Sequence, residues 1–306
     1  MRGIGYLALA AAAIAPWAIG GRYVLHVATM LAIMAMLALS MNLMLRIGQL
    51  SMAHGAFMGM GAYTSALLTL RAGVGPVVAL LLSACLTAAV AVLFGRIFLR
   101  VKGVYFVLLT YAFGQIVNLI FQEGTGLFGG NNGLNGIPKF SFLGVRITDP
   151  ASYYLLVLAF AVATLLLVRA ILNSSVGVVL SAIDEDEDLS RSLGTNALAW
   201  RTAVFGLSAG LAGVAGSLYA HHLGFLSPSA FGFGLSVDLV VMNIIGGVAS
   251  PWGPLVGALI VVPLPEVLRG IKEYQLLTYG LILLGFLMFC RDGLVGLVGR
   301  WRGASA

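Results

Sequence analysis

Long runs without a charged residue dominate the pattern of the chain. The longest runs without Asp, Glu, Lys or Arg are 3–21, 23–45, 47–70, 72–95, 103–122, 151–168, 202–237, 239–265 and 274–290. A helix needs about 20 mostly apolar residues to cross the hydrocarbon core of a bilayer. Several of the runs reach that length, so the pattern predicts an all-α fold, a polytopic integral membrane helix bundle.

One run carries a break. The segment 239–265 contains Gly246-Gly247 and then the turn-rich residues 250–254. Non-helical backbone at membrane depth is tolerated only where protein buries it or where it lines a cavity. We therefore expect two short spans here, roughly 232–248 and 251–268, which gives about ten transmembrane helices.

The distribution of basic residues indicates the topology. With ten spans and both termini in the cytoplasm, eleven of the 17 Lys and Arg residues lie inside and six outside. Cytoplasmic loops of membrane proteins are enriched in Lys and Arg. Nine spans would put one terminus outside, and that count stays open. We interpret the first run as a membrane helix, because no small-x-small cleavage site precedes Arg22.

Composition agrees with a membrane protein. Hydrophobic residues make up 60% of the 306 residues and charged residues only 9%, whereas soluble domains carry about 25% charged residues. The net charge of +6 comes from scattered basic residues, so nucleic-acid binding is not expected. Cys85 and Cys290 lack metal-ligand spacing. We expect one membrane domain over 1–306 and no metal site.

Two loops interrupt the spans. The outer loop, about 123–150, is rich in Gly and Asn, and the inner loop, about 173–200, holds five consecutive acids from Asp184 to Asp188. The acidic segment suits one short helix over 181–194, because acids favour a helix N-terminus and Gly194 is a natural helix stop. A solvated, charged loop is the alternative interpretation.

Polar residues inside the apolar runs are candidates for a translocation path. Ionisable or amide side chains are costly in lipid and usually face a cavity or a partner. Packing between helices explains Gln115 and Asn118 equally well, backbone bonding is favoured for Ser51, and an interfacial position is possible for Asp238 and Glu266. The candidates are Asn42, Gln49, Ser51, His54, Gln115, Asn118, Asp238, Asn243 and Glu266.

Several segments together resemble a known family. They are 42–63, Lys102-Gly103-Val104-Tyr105-Phe106, 113–115, Gly129-Gly130 with 132–134, 219–221, 227–228 and 246–254. This text is similar to that of the branched-chain amino acid permeases of ABC importers, and most of all to the LivM type. Sister permeases for urea, short amides and aromatic acids share it. In addition, 188–194 resembles the Glu-Ala-Ala-x3-Gly coupling motif, with both alanines replaced.

The resemblance implies an importer subunit of the bacterial inner membrane. A homologous second permease of the LivH type, two cytoplasmic ATPase subunits and a periplasmic substrate-binding protein would be its partners. ATP and Mg would bind to the ATPase subunits, and this chain would bind no cofactor. It lacks a Gly-x4-Gly-Lys-Ser/Thr loop and is not expected to be an enzyme.

The resemblance also assigns roles to the two loops. The outer-loop residues Gly129, Gly130, Asn132 and Gly133 would contact the binding protein, although turn geometry alone also explains the glycines. The inner loop would couple to the ATPases through Asp184, Glu185, Asp186, Glu187, Asp188, Leu189, Ser190, Arg191, Leu193 and Gly194.

Other functional classes stay open. An ion-driven secondary transporter would use intramembrane acids and broken helices, for which Asp238, Glu266 and 246–254 are candidates. A channel would leave the acidic loop without a role. A membrane-embedded enzyme is remote, because the sequence offers no nucleophile–base set.

Overall fold

The structure is a computed structural model that describes residues 21–142, 145–268, 274, 277–281, 284–285 and 293–296. Most residues of the expected spans 3–21 and 274–290 lie outside the described residues, so the count of ten spans stays a prediction. The helices are α1 Arg22–Leu45, α2 His54–Arg71, α3 Pro76–Phe98, α4 Val104–Glu123, α5 Thr125–Phe128, α6 Pro150–Leu172, α7 Ser175–Glu185, α8 Glu187–Ser192, α9 Ala197–Leu223, α10 Phe233–Gly246, α11 Gly253–Val261 and α12 Leu264–Val267.

Length and composition identify the membrane helices. Among the described residues, six helical segments are long and apolar enough to cross a bilayer: Arg22–Leu45, Pro76–Phe98, Val104–Glu123, Pro150–Leu172, Ala197–Leu223 and Pro228–Gly246. The shorter apolar segment Gly253–Val267 follows them. The described part of the chain is therefore an all-α membrane bundle, as its pattern predicts.

Local chemistry sets the helix ends. Proline stands at the start of α3 and α6, where its missing N–H costs nothing. The Asp149 carboxylate caps α6 by accepting a bond from the backbone N–H of Ser152. Helix α9, the longest described helix, ends at its C-terminus with Gly224, which adopts the left-handed conformation with φ of +73°.

Glycines bring the backbones of the central helices together. Helix α9 packs against α1, α2 and α3. A Cβ on Gly216 would overlap the backbone oxygen of Met58, and a Cβ on Gly61 would overlap the backbone of Gly213. Lipid offers no hydrophobic drive between helices, so such close contact supplies the packing energy. The small-residue spacing along α9 predicts this role.

The predicted break in 239–265 is confirmed. Helix α10 ends at Gly246, Gly247 has φ of +106°, and α11 begins at Gly253. The two helices form a hairpin, in which a Cβ on Gly257 would overlap the backbone of Met242. The run 202–237 is also interrupted, because α9 ends at Leu223 and α10 begins only at Phe233.

Short elements cover one end of the bundle. Strand β1 (Leu134–Asn135) pairs antiparallel with β4 (Phe225–Leu226), and β2 (Ser141–Phe142) pairs antiparallel with β3 (Val145–Arg146). Two 3-10 turns, Gly130–Asn132 and Pro228–Phe231, lie beside them. We call this end, which carries 123–150, the outer-loop end.

Charged residues lie near the two ends of the bundle. At the outer-loop end, Arg71 donates to the carbonyl oxygen of Gly126 at 2.6 Å. At the opposite end, which carries α7 and α8, Arg46 donates to the carbonyl oxygen of Ala249 at 2.5 Å. Arg71 and Arg46, which are expected on opposite sides of the membrane, thus lie at opposite ends of the described bundle.

Candidate coupling segment and intramembrane polar residues

The acidic segment folds as two short helices. Asp186 adopts an extended conformation that ends α7, and its Oδ1 accepts bonds from the backbone N–H groups of Asp188 and Leu189, both at 3.0 Å. The expectation of one helix over 181–194 is therefore wrong, because an aspartate that caps the next helix breaks it. Gly194, with φ of +87°, follows the end of α8 as predicted. We call α7 and α8 together the α7–α8 segment.

Glu187 is the buried centre of an ion-pair cluster. Its Oε1 accepts from Arg191 at 2.5 Å, and its Oε2 accepts from Arg201 at 2.6 Å. Lys102, just before α4, pairs with the same Oε2. The side chains of Glu187 and Arg201 are both only 6% exposed. One carboxylate thus ties α8 to α9 and to the α3–α4 loop.

The electrostatics of the segment follow from this placement. Burial raises the pKa of Glu187, but the hydrogen bond from Lys102 and the charge of Arg201 outweigh it, so the net pKa lies below its ordinary value. Burial raises the pKa of Asp184, and the charge of Arg201 opposes that rise. A Cβ on Gly48 would overlap the Asp184 carboxylate, so Asp184 lies directly against the turn after α1.

Two exposed leucines lie on α8 and directly after it. Leu189 is 59% exposed and Leu193 is 80% exposed. Ile183, an apolar position on α7, is buried and faces the bundle instead. The α7–α8 segment therefore has an inner face fixed to the helices and an outer face that offers two leucines beside the exposed acids Glu185 and Asp188.

Two pairs of polar side chains are hydrogen-bonded to each other in the interior of the bundle. Asn42 donates to Asn243 Oδ1 at 3.0 Å and to the carbonyl oxygen of Val248 at 3.2 Å. His54 Nε2 lies 2.7 Å from the Ser208 hydroxyl. Asn42, His54 and Asn243 are fully buried. These candidates for the path thus bridge helices in this conformation.

The candidates near α2 and on α4 differ in environment. Gln49 and Ser51 are buried, and Ser51 Oγ accepts from the backbone of Ala53 at 3.3 Å. Asn118 is buried and donates to the carbonyl oxygen of Pro228 at 2.8 Å, whereas Gln115 is exposed and borders a small recess. Although the two α4 residues are three apart, they do not share an environment.

The two acidic candidates, Asp238 and Glu266, accept hydrogen bonds from different tyrosines. Asp238 is half-buried and accepts a bond from Tyr279 at 2.8 Å. Glu266 lies near the outer-loop end and accepts a bond from Tyr23 at 2.9 Å. Neither is brought beside the Asn42–Asn243 pair by a contact among the described residues.

The glycines of the outer loop have a structural task. Gly129, Gly130 and Gly133 all have positive φ, and a Cβ on Gly133 would lie 2.8 Å from the Phe225 ring. Turn geometry therefore requires them. Asn132 is exposed. Contact of this loop with a binding protein stays a prediction.

Sequence reasoning missed one constellation. His26 Nδ1 lies 2.9 Å from His222 Nε2, although 196 residues separate them. His221 lies between the Ser65 hydroxyl and the carbonyl oxygen of Pro138. No periodic pattern links residues so far apart. Within the described residues no group of three or more His, Cys, Asp or Glu could hold a metal ion.

Comparison with known proteins gives a consistent result. The profile of a family described as branched-chain amino acid transport system / permease component matches residues 23–291. The high-affinity branched-chain amino acid transport system permease protein LivM of Salmonella typhimurium is 31% identical over 293 residues, which cover 88% of this chain and 69% of that protein. LivM of Escherichia coli is 30% identical over 298 residues, 90% of this chain and 70% of that protein. No solved structure matches.

Proposed function

Since the chain belongs to the permease family of branched-chain amino acid transport systems, we propose that it is one permease subunit of an ATP-driven importer in a bacterial inner membrane. Its substrate would be a branched-chain amino acid or a related small polar solute such as urea, an amide or an aromatic acid. The ion-pair cluster at Glu187 is the observation that carries this proposal, because it attaches the α7–α8 segment firmly to α9 and to the α3–α4 loop.

The exposed face of the α7–α8 segment suits docking of an ATPase subunit. Leu189 of α8 and Leu193, which directly follows α8, are four residues apart, and both are exposed. Apolar side chains rimmed by charges are the usual composition of a protein interface. A push on this face would reach α9 through Arg201 and the α3–α4 loop through Lys102. Such rigid-body transmission is what alternating access needs.

The remaining parts of the importer follow from the same proposal. Two ATPase subunits would bind ATP and Mg, so this chain would need neither a cofactor nor a catalytic site. A homologous second permease would complete the path, and a periplasmic binding protein would dock at the outer-loop end, where 129–133 lies. The α7–α8 end and both termini would then be cytoplasmic.

Reconstitution tests the proposal directly. The tagged chain should co-purify, in mild detergent, with a second permease and an ATPase that mass spectrometry identifies. Liposomes holding that complex should take up radiolabelled leucine only with ATP inside and a binding protein outside. An uncoupler should leave uptake intact while ATP is held constant. Uptake that follows an ion gradient and stops in an Asp238→Asn variant would instead establish a secondary transporter.

Cysteine accessibility tests where the path runs. In a background with Cys85 and Cys290 changed to alanine, Gln115→Cys lies on the surface recess and Ser208→Cys lies in the closed interior. A path between two permeases predicts that a water-soluble thiol reagent modifies Gln115→Cys and that substrate protects it. A path inside this subunit predicts modification of Ser208→Cys only while ATP is turned over.

A further inference from the structure

A basic cavity opens at the outer-loop end, away from the buried polar pairs and from the α7–α8 segment. It has a volume of about 200 Å³ and lies between α1, α6, α9 and the outer loop. Its polar lining includes Arg22, His26, Lys139, Asp149 and His222. We call it the outer basic cavity.

The charges around the cavity are unbalanced. Arg22 and Lys139 have no carboxylate within ion-pair distance among the described residues. Asp149 is the acid in the lining, and its Oδ2 already accepts bonds from the backbone N–H and the hydroxyl of Ser152, both at 3.0 Å. Two cations and a histidine pair therefore face a space whose carboxylate is engaged in capping a helix.

The histidines are built into a stack of rings. His26 and His222 lie with ring centroids 4.9 Å apart and planes 17° from parallel. The Tyr153 ring centroid lies 5.5 Å from that of His222, with the two ring planes 16° from parallel. Tyr153 is held in turn, since its hydroxyl donates to the carbonyl oxygen of Leu218 at 2.6 Å. The stack fixes both imidazoles beside the two cations.

We propose that the outer basic cavity binds a phosphate group, carried either by a free anion or by the headgroup of an anionic phospholipid. A planar guanidinium and an ammonium are the side chains that bind phosphate best. The cavity volume exceeds that of one water, about 30 Å³, several-fold. The cavity lies at one end of α1 and α9, two helices long and apolar enough to cross a bilayer, and the ends of such helices meet lipid headgroups and water.

Calorimetry on the full chain in detergent tests the proposal, with inorganic phosphate as the probe at one fixed pH. Arg22→Gln and Lys139→Gln should each weaken binding about tenfold. Arg146→Gln is the matched control, because it removes an exposed arginine of the same end that does not line the cavity. It should change the affinity less than about twofold.

A second arm identifies the source of the phosphate. Native mass spectrometry should show phosphatidylglycerol retained by the wild type and lost from the Arg22→Gln, Lys139→Gln double variant. Retention of lipid without binding of free phosphate assigns a headgroup site, and binding of free phosphate assigns an anion site. Absence of both in the wild type, or equal weakening by Arg146→Gln, would overturn the proposal. Circular dichroism confirms that each variant is folded.

Discussion

Replacing Glu187 by Gln is the most informative single change, because it removes one charge and almost no volume. Its partners Lys102 and Arg191 are 58% and 56% exposed, so water screens their loss. Arg201 is 6% exposed and cannot be rehydrated in place. Breaking a buried pair by removing one partner costs about 3–5 kcal/mol. Gln keeps an acceptor oxygen for Arg201, so we expect about 3 kcal/mol, the lower end.

The matched control is Glu185→Gln. It is the same substitution two residues away, at an exposed carboxylate that forms no salt bridge among the described residues. Denaturation of the purified chain in mixed micelles, followed by circular dichroism, should show Glu187→Gln destabilised by about 3 kcal/mol and Glu185→Gln within about 0.5 kcal/mol of wild type. Equal stability of the two variants would refute the idea that Glu187 anchors the segment.

The pH dependence supplies an internal check. Because the pKa of Glu187 in the folded chain lies below its ordinary value of 4.5, the ionised carboxylate stabilises the fold. This contribution is complete above about pH 4.5 and is lost as the pH falls through the lower, folded-state value. The stability difference between wild type and Glu187→Gln should therefore be constant at neutral pH and shrink below pH 4.5. A difference that grows in acid would contradict the sign.

Three further predictions concern packing, helix termination and the buried amides. Gly216→Ala should destabilise the chain by about 1–3 kcal/mol through its overlap with the α2 backbone, whereas Gly234→Ala, with open space around it, should be tolerated; thermal melting of the two compares them. Gly194→Val should cost about 1–2 kcal/mol and uncouple ATP hydrolysis from uptake at normal expression, while Gly194→Asn retains uptake, because its φ of +87° favours Gly or Asn. A double-mutant cycle of Asn42→Ala and Asn243→Ala should give a coupling energy of about 1 kcal/mol; additive effects would show that their bond contributes nothing.

The sequence predicts the membrane helices well for a physical reason. In lipid every backbone polar group must be satisfied within the segment, so apolar length alone specifies a helix. The run 23–45 became Arg22–Leu45, and 103–122 became Val104–Glu123. The break at 246–254 was equally predictable, because consecutive glycines and two prolines cannot continue a helix.

The identity of the important acid could not be predicted. Five consecutive acids look alike in sequence, and only the register of α8 decides which of them points inward. The structure turns Glu187 toward Arg201 and Lys102, leaves Asp188 exposed and uses Asp186 as a cap. The sequence likewise identifies Asn42 and Asn243 as separate candidates but cannot predict that they pair. Their contact depends on the packing of α1 on α10.

Different kinds of polar and close backbone contact join two groups of helices in the described bundle, although α9 also packs along α1. Close backbone contacts at Gly61 and Gly216 join α2 to α9, and Glu187 adds the α7–α8 segment to them. The hairpin of α10 and α11 is joined to α1 by the Asn42–Asn243 pair.

The boundary between these groups is crossed by neutral hydrogen bonds. Ser208 of α9 donates to the carbonyl oxygen of Ser40 in α1 at 2.7 Å, and the backbone N–H of Gly55 in α2 donates to Ser236 of α10 at 3.0 Å. Each such bond is worth about 0.5–1.5 kcal/mol net, and water or a solute can replace it. A buried ion pair or a glycine contact has no such replacement. In an importer of the kind proposed above, a force on the α7–α8 segment should therefore move α2 and α9 together and break these neutral bonds before the ion pairs, so that a thiol reagent reaches Ser208→Cys only during ATP turnover.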